Sequence, residues 1–172
     1  MNFLISNFGQ HQVIFLQLVL ALLLGMVLGV QRTLSGKNAG MRTYSLVSMG
    51  CAFLVIIAQT VIASYPNKIN FDPLSIAGSV MQGIGFLGAG LIIFHGTKVN
   101  GLTTAAGIWV SAVIGIAVGY EMYAIAIFAT ILTLVVFTFI WVFEKKIRTL
   151  YVHNALSDDE ETEEELKAGR RM

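Results

Sequence analysis

Residues 81–94 read MQGIGFLGAGLIIF, and Gly83, Gly85 and Gly88 within them have the G-x-G-x-x-G spacing of a dinucleotide-binding turn. Such a turn follows a strand, opens a helix and aims backbone N–H groups at a pyrophosphate. Here the glycines lie inside a long apolar run with no turn residues beside them, so the composition around them decides the reading. Of 172 residues, 56% are hydrophobic and 12% charged, against roughly 25% charged in soluble domains; mean hydropathy is +0.76. Seven of the ten acids lie between Asp158 and Glu165, which leaves Asp72, Glu121 and Glu144 for the rest of the chain. This is the composition of an integral membrane protein. The net charge of +1 is a cancellation that says nothing about partners.

A spanning helix needs about 20 largely apolar residues. Stretches 12–30, 44–64, 74–94, 102–119 and 122–143 qualify, so the expected fold is an all-α bundle of five transmembrane helices in a domain covering 1–150. The first stretch has no basic region before it and no small-residue cleavage site after it, which reads as a retained helix. Residues 151–172 form an acidic tail, expected to be disordered and cytoplasmic. Ten of the eleven basic residues fall in alternate connections or after the last helix, leaving only Lys68 on the other side. That pattern puts the N-terminus outside and the C-terminus in the cytoplasm. Tyr44 and Trp141 then mark the inner interface, and Tyr65, Tyr120 and Tyr123 the outer one.

Lipid gives helices no hydrophobic drive to associate, so spanning helices join where small side chains let backbones approach. Gly83, Gly85, Gly88 and Gly90 are therefore expected to pack helix against helix, with Gly107, Ser111, Gly115 and Gly119 doing the same on the next one and Ala21, Gly25 and Gly29 repeating the spacing on the first. This places the Gly-rich third and fourth helices at the centre, with the bulkier first and fifth toward lipid. The surplus of glycine fits a homodimer. Cys51, the single cysteine, excludes an intrachain disulfide and reads as a buried apolar residue.

The polar residues offer few sites. Asp72, in FDPLS, suits an N-cap with Pro73 at the first helical position; a functional carboxylate is the alternative. Asp72 and Glu121 share the outer side and could hold a hydrated Mg²⁺, which keeps several waters and takes one or two carboxylates. Arg32 and Arg42 flank an inner connection, either as plain positive-inside anchors or as contacts to an ion pair or anionic lipid. Thr103 and Thr104 open the fourth helix and suit capping. Gln82 lies near mid-membrane, where an amide needs an interhelical partner or lines a path, and Gln17 and Gln59 are read as interhelical bonds too. The three histidines are too scattered for a metal site. No nucleophile–base pair, phosphate loop or nucleic-acid surface is present, so neither an enzyme nor a cofactor is expected, Mg²⁺ as ligand or cargo aside.

Three blocks carry a family resemblance: GVQRTLSGKNAGMRTYSLVSMGCAFLV, FDPLSIAGSVMQGIGFLGAGLIIF and VNGLTTAAGIWVSAVIGIAVGYEMY, together spanning 29–123. They resemble the membrane domain of the MgtC/SapB family. The resemblance implies a bacterial inner-membrane protein tied to magnesium limitation and, in pathogens, to survival inside host cells. It further implies modulation of another membrane protein, such as the proton-translocating ATP synthase, with Mg²⁺ or other cation transport as the alternative. Asp72, Arg32, Gly40, Arg42, Thr43 and the stretch from Gly101 to Ala106 match the family's motif positions. Gln31 stands where the family often has Glu, Ser75 where it has Arg and Ser79 where it has Gln, which removes charges a transport path would use. Glu121 replaces a commonly small residue. In place of the soluble C-terminal domain of longer members, the acidic tail is expected here.

Overall fold

The computed structural model describes residues 2–64 and 72–140. Tyr65, Lys68, Trp141, the end of the fifth expected span and the acidic tail lie outside them. Five helices and one short hairpin follow in order: α1 (Asn2–Leu34), α2 (Met41–Ser64), α3 (Pro73–Gly90), β1 (Ile93–His95), β2 (Lys98–Asn100), α4 (Leu102–Gly119) and α5 (Tyr123–Val135), the last continued by a π-helical segment, Val136–Ile140. The chain divides into two compact units, Met1–Leu134 and Val135–Met172. The first holds the bundle; within the second, the described residues are the helical stretch from Val135 to Ile140.

The all-α membrane architecture holds, but among the described residues four helical stretches, not five, are long and apolar enough to cross a bilayer: His11–Leu34, Met41–Ser64, Leu102–Gly119 and Tyr123–Ile140. The third expected span is cut short at Gly90, because Ile93 and Phe94 pair with Asn100 and Val99 in an antiparallel hairpin. Two backbone positions with positive φ shape that connection, Gly96 at 59° in the turn and Gly101 at 92° at its exit. A Cβ on Gly101 would also run into the Leu91 carbonyl oxygen, so only glycine lets the hairpin return to the start of α4. At 18 residues, α3 is about 27 Å long, slightly less than the ~30 Å hydrocarbon core. It nevertheless runs the length of α4. A Cβ on Gly88 would lie 3.7 Å from Ala105 Cβ at one end, and the Asp72 charge acts on Tyr120 at the other.

The centre of the bundle is α1, α2 and α4, each packed on the other two, with α3 laid chiefly on α4. The expectation of a third-and-fourth-helix centre is corrected on this point: α4 is central and α3 peripheral. The backbones come closest where glycines on α1 and α4 clasp α2. A Cβ on Gly25 would lie 2.9 Å from Ser48 Cβ, one on Gly29 2.8 Å from the Met41 nitrogen, and one on Gly119 2.7 Å from Val55 Cβ; one on Gly115 would strike the Ser48 carbonyl oxygen. By contrast, nothing lies within 4 Å of such an atom on Gly78, Gly83, Gly85 or Gly90 of α3. Gly107 and Ser111 are buried on α4. What α3 lacks is a complementary small-residue surface to clasp. On α2 that surface is Ser45, Ser48 and Ala52, all buried. Likewise α1, expected to face lipid, gives Ala21, Gly25, Leu28 and Gly29 to the core and turns Phe15, Leu16, Val19 and Leu23 outward. The outer surface of the bundle is apolar, as a bilayer-facing surface must be.

Candidate functional site: a buried arginine among hydroxyls

The basic end of the bundle is built by the α1–α2 connection. Thr33 Oγ1 donates to the Gly29 carbonyl (3.0 Å) and accepts from the Met41 nitrogen (3.2 Å), so one hydroxyl ties the end of α1 to the start of α2. A Cβ on Gly40 would collide with that hydroxyl, which explains a glycine there. The connection is thereby held tightly, and it fixes Arg32 one turn from the end of α1. Arg32 is only 4% exposed. Its Nη2 donates to Thr104 Oγ1 across to α4 at 3.2 Å, and its guanidinium also faces the Tyr44 hydroxyl. Tyr44, fully buried, donates to the Thr104 carbonyl at 3.3 Å. Ser111 closes the circuit by donating to the Tyr44 carbonyl at 2.9 Å. A cation near the last turn of α1 is favoured by the helix dipole, and the hydroxyls and carbonyl around it offset part of the cost of removing it from water.

Several sequence expectations change here. Arg32 is no surface anchor; it is the polar heart of the three-helix core. Arg42, the second residue of α2, is exposed, so the two arginines do not form a site together. Thr103 and Thr104 do not cap α4: its N-cap is Gly101, without a side-chain cap, Thr103 is exposed, and Thr104 receives Arg32. Tyr44, read as an interface anchor, is the residue sequence reasoning missed. Its signal was the i, i+4 row Tyr44, Ser48, Ala52, continued by Val55 and Ile56, which is the buried stripe of α2. Ser48 lies in that row, wholly buried, and its hydroxyl has no hydrogen-bond partner among the described residues.

At the opposite end, Asp72 Oδ1 accepts the Leu74 N–H at 2.9 Å, and the Ser75 hydroxyl donates to the Asp72 carbonyl at 2.7 Å. Asp72 is thus the N-cap of α3, with Pro73 following. Its charge also reaches Tyr120, in the turn between α4 and α5. Burial first, and the Asp72 carboxylate second, raise the Tyr120 phenol above its ordinary 10.0. Glu121, next in that turn, has φ 62° and accepts from Gln17 Nε2 at 3.4 Å; the same amide donates to the Tyr123 hydroxyl at 2.9 Å. Gln17 therefore bonds α1 to the α4–α5 turn. Gln82 is exposed on α3 and makes no hydrogen bond to any described residue. No group of three or more His, Cys, Asp or Glu that could hold a metal ion occurs among the described residues.

Asn caps as well as Asp does, so cap and charge at position 72 can be separated. Asp72→Ala is expected to cost about 1 kcal/mol, and Asp72→Asn little. Asp72→Asn should instead lower the Tyr120 pKa part of the way toward 10.0, because burial persists. A phenolate titration, read as the difference from Tyr120→Phe, measures this. Stabilisation from the un-ionised phenol is fully present below pH 10.0 and lost as pH rises through the raised pKa. The variant should shorten that alkaline window.

The MgtC family model matches residues 18–146. YhiD of Escherichia coli (strain K12) is 39% identical over 123 residues, 70% of this chain and 57% of YhiD. Protein SapB of Bacillus subtilis (strain 168) is 32% identical over 168 residues, 92% of this chain and 72% of SapB. Protein MgtC of Salmonella typhimurium is 40% identical over 119 residues, 69% of this chain and 48% of MgtC. The chain thus spans little more than half of YhiD and about half of MgtC. No solved structure matches it. Arg32, Tyr44, Asp72, Thr104 and Glu121 all fall inside the matched segment, and on the extent of that match the chain belongs to the MgtC family.

Proposed function

We propose that this protein sits in a bacterial inner membrane, N-terminus outside and C-terminus in the cytoplasm, and serves magnesium homeostasis or adaptation to low Mg²⁺ by docking against another membrane protein, an ion-translocating ATPase being the kind of machine meant. It carries no catalytic chemistry. The magnesium link is supported by the family and by YhiD, which is described as a candidate magnesium transporter. The observation that carries the docking reading is the contrast within the bundle. Glycines bring α1, α2 and α4 to backbone contact, and Arg32, the one buried cation among the described residues, is held by hydroxyls inside that closed core. Meanwhile α3 leaves Gly78, Ser79, Gln82, Gly83 and Phe86 uncovered. A conductor needs polar groups along a path; a modulator needs a surface.

The alternative is transport of Mg²⁺ or another cation through Asp72 at the mouth. Mg²⁺ flux into liposomes bearing the purified, correctly inserted protein separates the two. Flux indistinguishable from empty vesicles is the expected result. Flux that Asp72→Asn abolishes, with the fold intact, would make the protein a transporter.

A further inference from the structure

A cavity of about 590 Å³ opens at the Glu121 end of the bundle, between α1, α2 and the α4–α5 turn. Its polar lining is His11, Gln17, Gln59, Thr60, Ser64 and Glu121, and its apolar walls include Val13, Ile14, Ile56 and Ala63. The hydroxyls have already committed their hydrogens: Thr60 Oγ1 donates to the Ile56 carbonyl at 2.8 Å and Ser64 Oγ to the Thr60 carbonyl at 2.9 Å. Both therefore face the cavity as acceptors. Gln17, 5% exposed, spends its N–H groups on Tyr123 and Glu121. That bond holds the Glu121 carboxylate at the cavity wall. Glu121 itself sits in the left-handed region, uncommon for a residue with a side chain.

The lining is rich in oxygen acceptors and has one carboxylate, and no Lys or Arg is among its described residues, so the Glu121 charge favours a cation over an anion. A bare metal ion fits poorly, because a single carboxylate in so large a space cannot build a close oxygen shell. No Phe, Tyr or Trp is among its described lining residues to receive a quaternary ammonium. What suits these walls is a group with several N–H donors, one positive charge and an apolar body behind it. We propose that this cavity binds a primary ammonium group, supplied either by a free alkyl amine or by the headgroup of an aminophospholipid. Glu121 forms the ion pair, Thr60 and Ser64 accept the remaining N–H bonds, and the aliphatic walls receive the carbon chain. The proposal is independent of whether the protein modulates a partner or transports an ion. Its α1 wall, from His11 to Gln17, precedes the segment matched by the family model.

Glu121 offers variants that lose the charge without endangering the fold. Asn and Gly tolerate φ near 60° better than Glu does, so Glu121→Gly and Glu121→Asn should melt no lower than the parent. The probes are n-butylamine against n-butanol with the full chain in detergent, and nanodiscs of phosphatidylethanolamine against phosphatidylcholine. A saturable melting shift is expected with butylamine or with phosphatidylethanolamine but not with the alcohol or phosphatidylcholine. Glu121→Asn should weaken it about tenfold, as the loss of one charge-assisted contact does. A shift in the detergent arm identifies a free amine, and one confined to the phosphatidylethanolamine discs identifies the headgroup. Equal response to amine and alcohol, no shift in either arm, or binding undiminished in a folded Glu121→Asn protein would overturn the proposal.

Discussion

Gly115→Ala is expected to destabilise the protein by on the order of 1–3 kcal/mol, a large effect for one added methyl group. The new Cβ would meet the Ser48 carbonyl oxygen, with the Ser48 Cα 2.9 Å away. Those are main-chain atoms of α2, which cannot rotate aside as a flexible side chain would. The helices must separate, and separation loosens the contact of α4 with α2 along Ala112, Val118 and Val55, all fully buried or nearly so. The matched control is Gly83→Ala on α3, where nothing lies within 4 Å; it should be neutral or slightly stabilising, since Ala is the better helix former. Thermal or denaturant unfolding in detergent, followed by circular dichroism, compares the two. Equal destabilisation at both positions would mean that α3 packs as tightly as α4, contrary to the architecture described.

Thr104→Val is the second large effect expected, about 2 kcal/mol or more. Valine keeps the shape of threonine but turns a methyl toward Arg32 Nη2, so a buried charged group loses an acceptor at 3.2 Å. An unmet donor costs its full desolvation, more when charged. Tyr44→Phe removes the 3.3 Å bond to the Thr104 carbonyl and the hydroxyl that the Arg32 guanidinium faces, and should cost about 1 kcal/mol or more. The cycle with Arg32→Met gives the decisive comparison. Once the charge is gone, Val at position 104 no longer faces an unmet donor, so the double variant should fall short of the summed single losses by about 1 kcal/mol or more. Additive losses would mean that Arg32 and Thr104 do not act on one another.

Much of the site's raw material was legible in the sequence, and its arrangement was not. Asp72 before Pro73 announced the start of α3, because N-capping is a rule of one residue and its next few neighbours. Gln17 announced a polar contact, though not that its partners would be Glu121 and Tyr123, more than a hundred residues away. Arg32 beside Lys37 and Arg42 reads as one basic connection. Only the fold separates a guanidinium turned into the core from one left outside. Thr104 looked like a cap because it stands near a helix start, but Gly101 already occupied the cap, and the hydroxyl was free to serve a different helix.

Read alone, the sequence establishes that the chain is a bundle of apolar helices for a bilayer, where α2 and α4 begin and end to within a few residues, and which family it belongs to. Those properties follow from composition, run length and local motif, which need no knowledge of neighbours. Tertiary structure alone decided which helices are central. Small residues occur on α1, α3 and α4 alike, and a glycine becomes a contact only when another helix presents a matching surface. The row Tyr44, Ser48, Ala52 on α2 is that surface, so α1 and α4 close upon it and bury Arg32 between them, while Gly78, Gly83, Gly85 and Gly90 of α3, with no such row to meet, remain open.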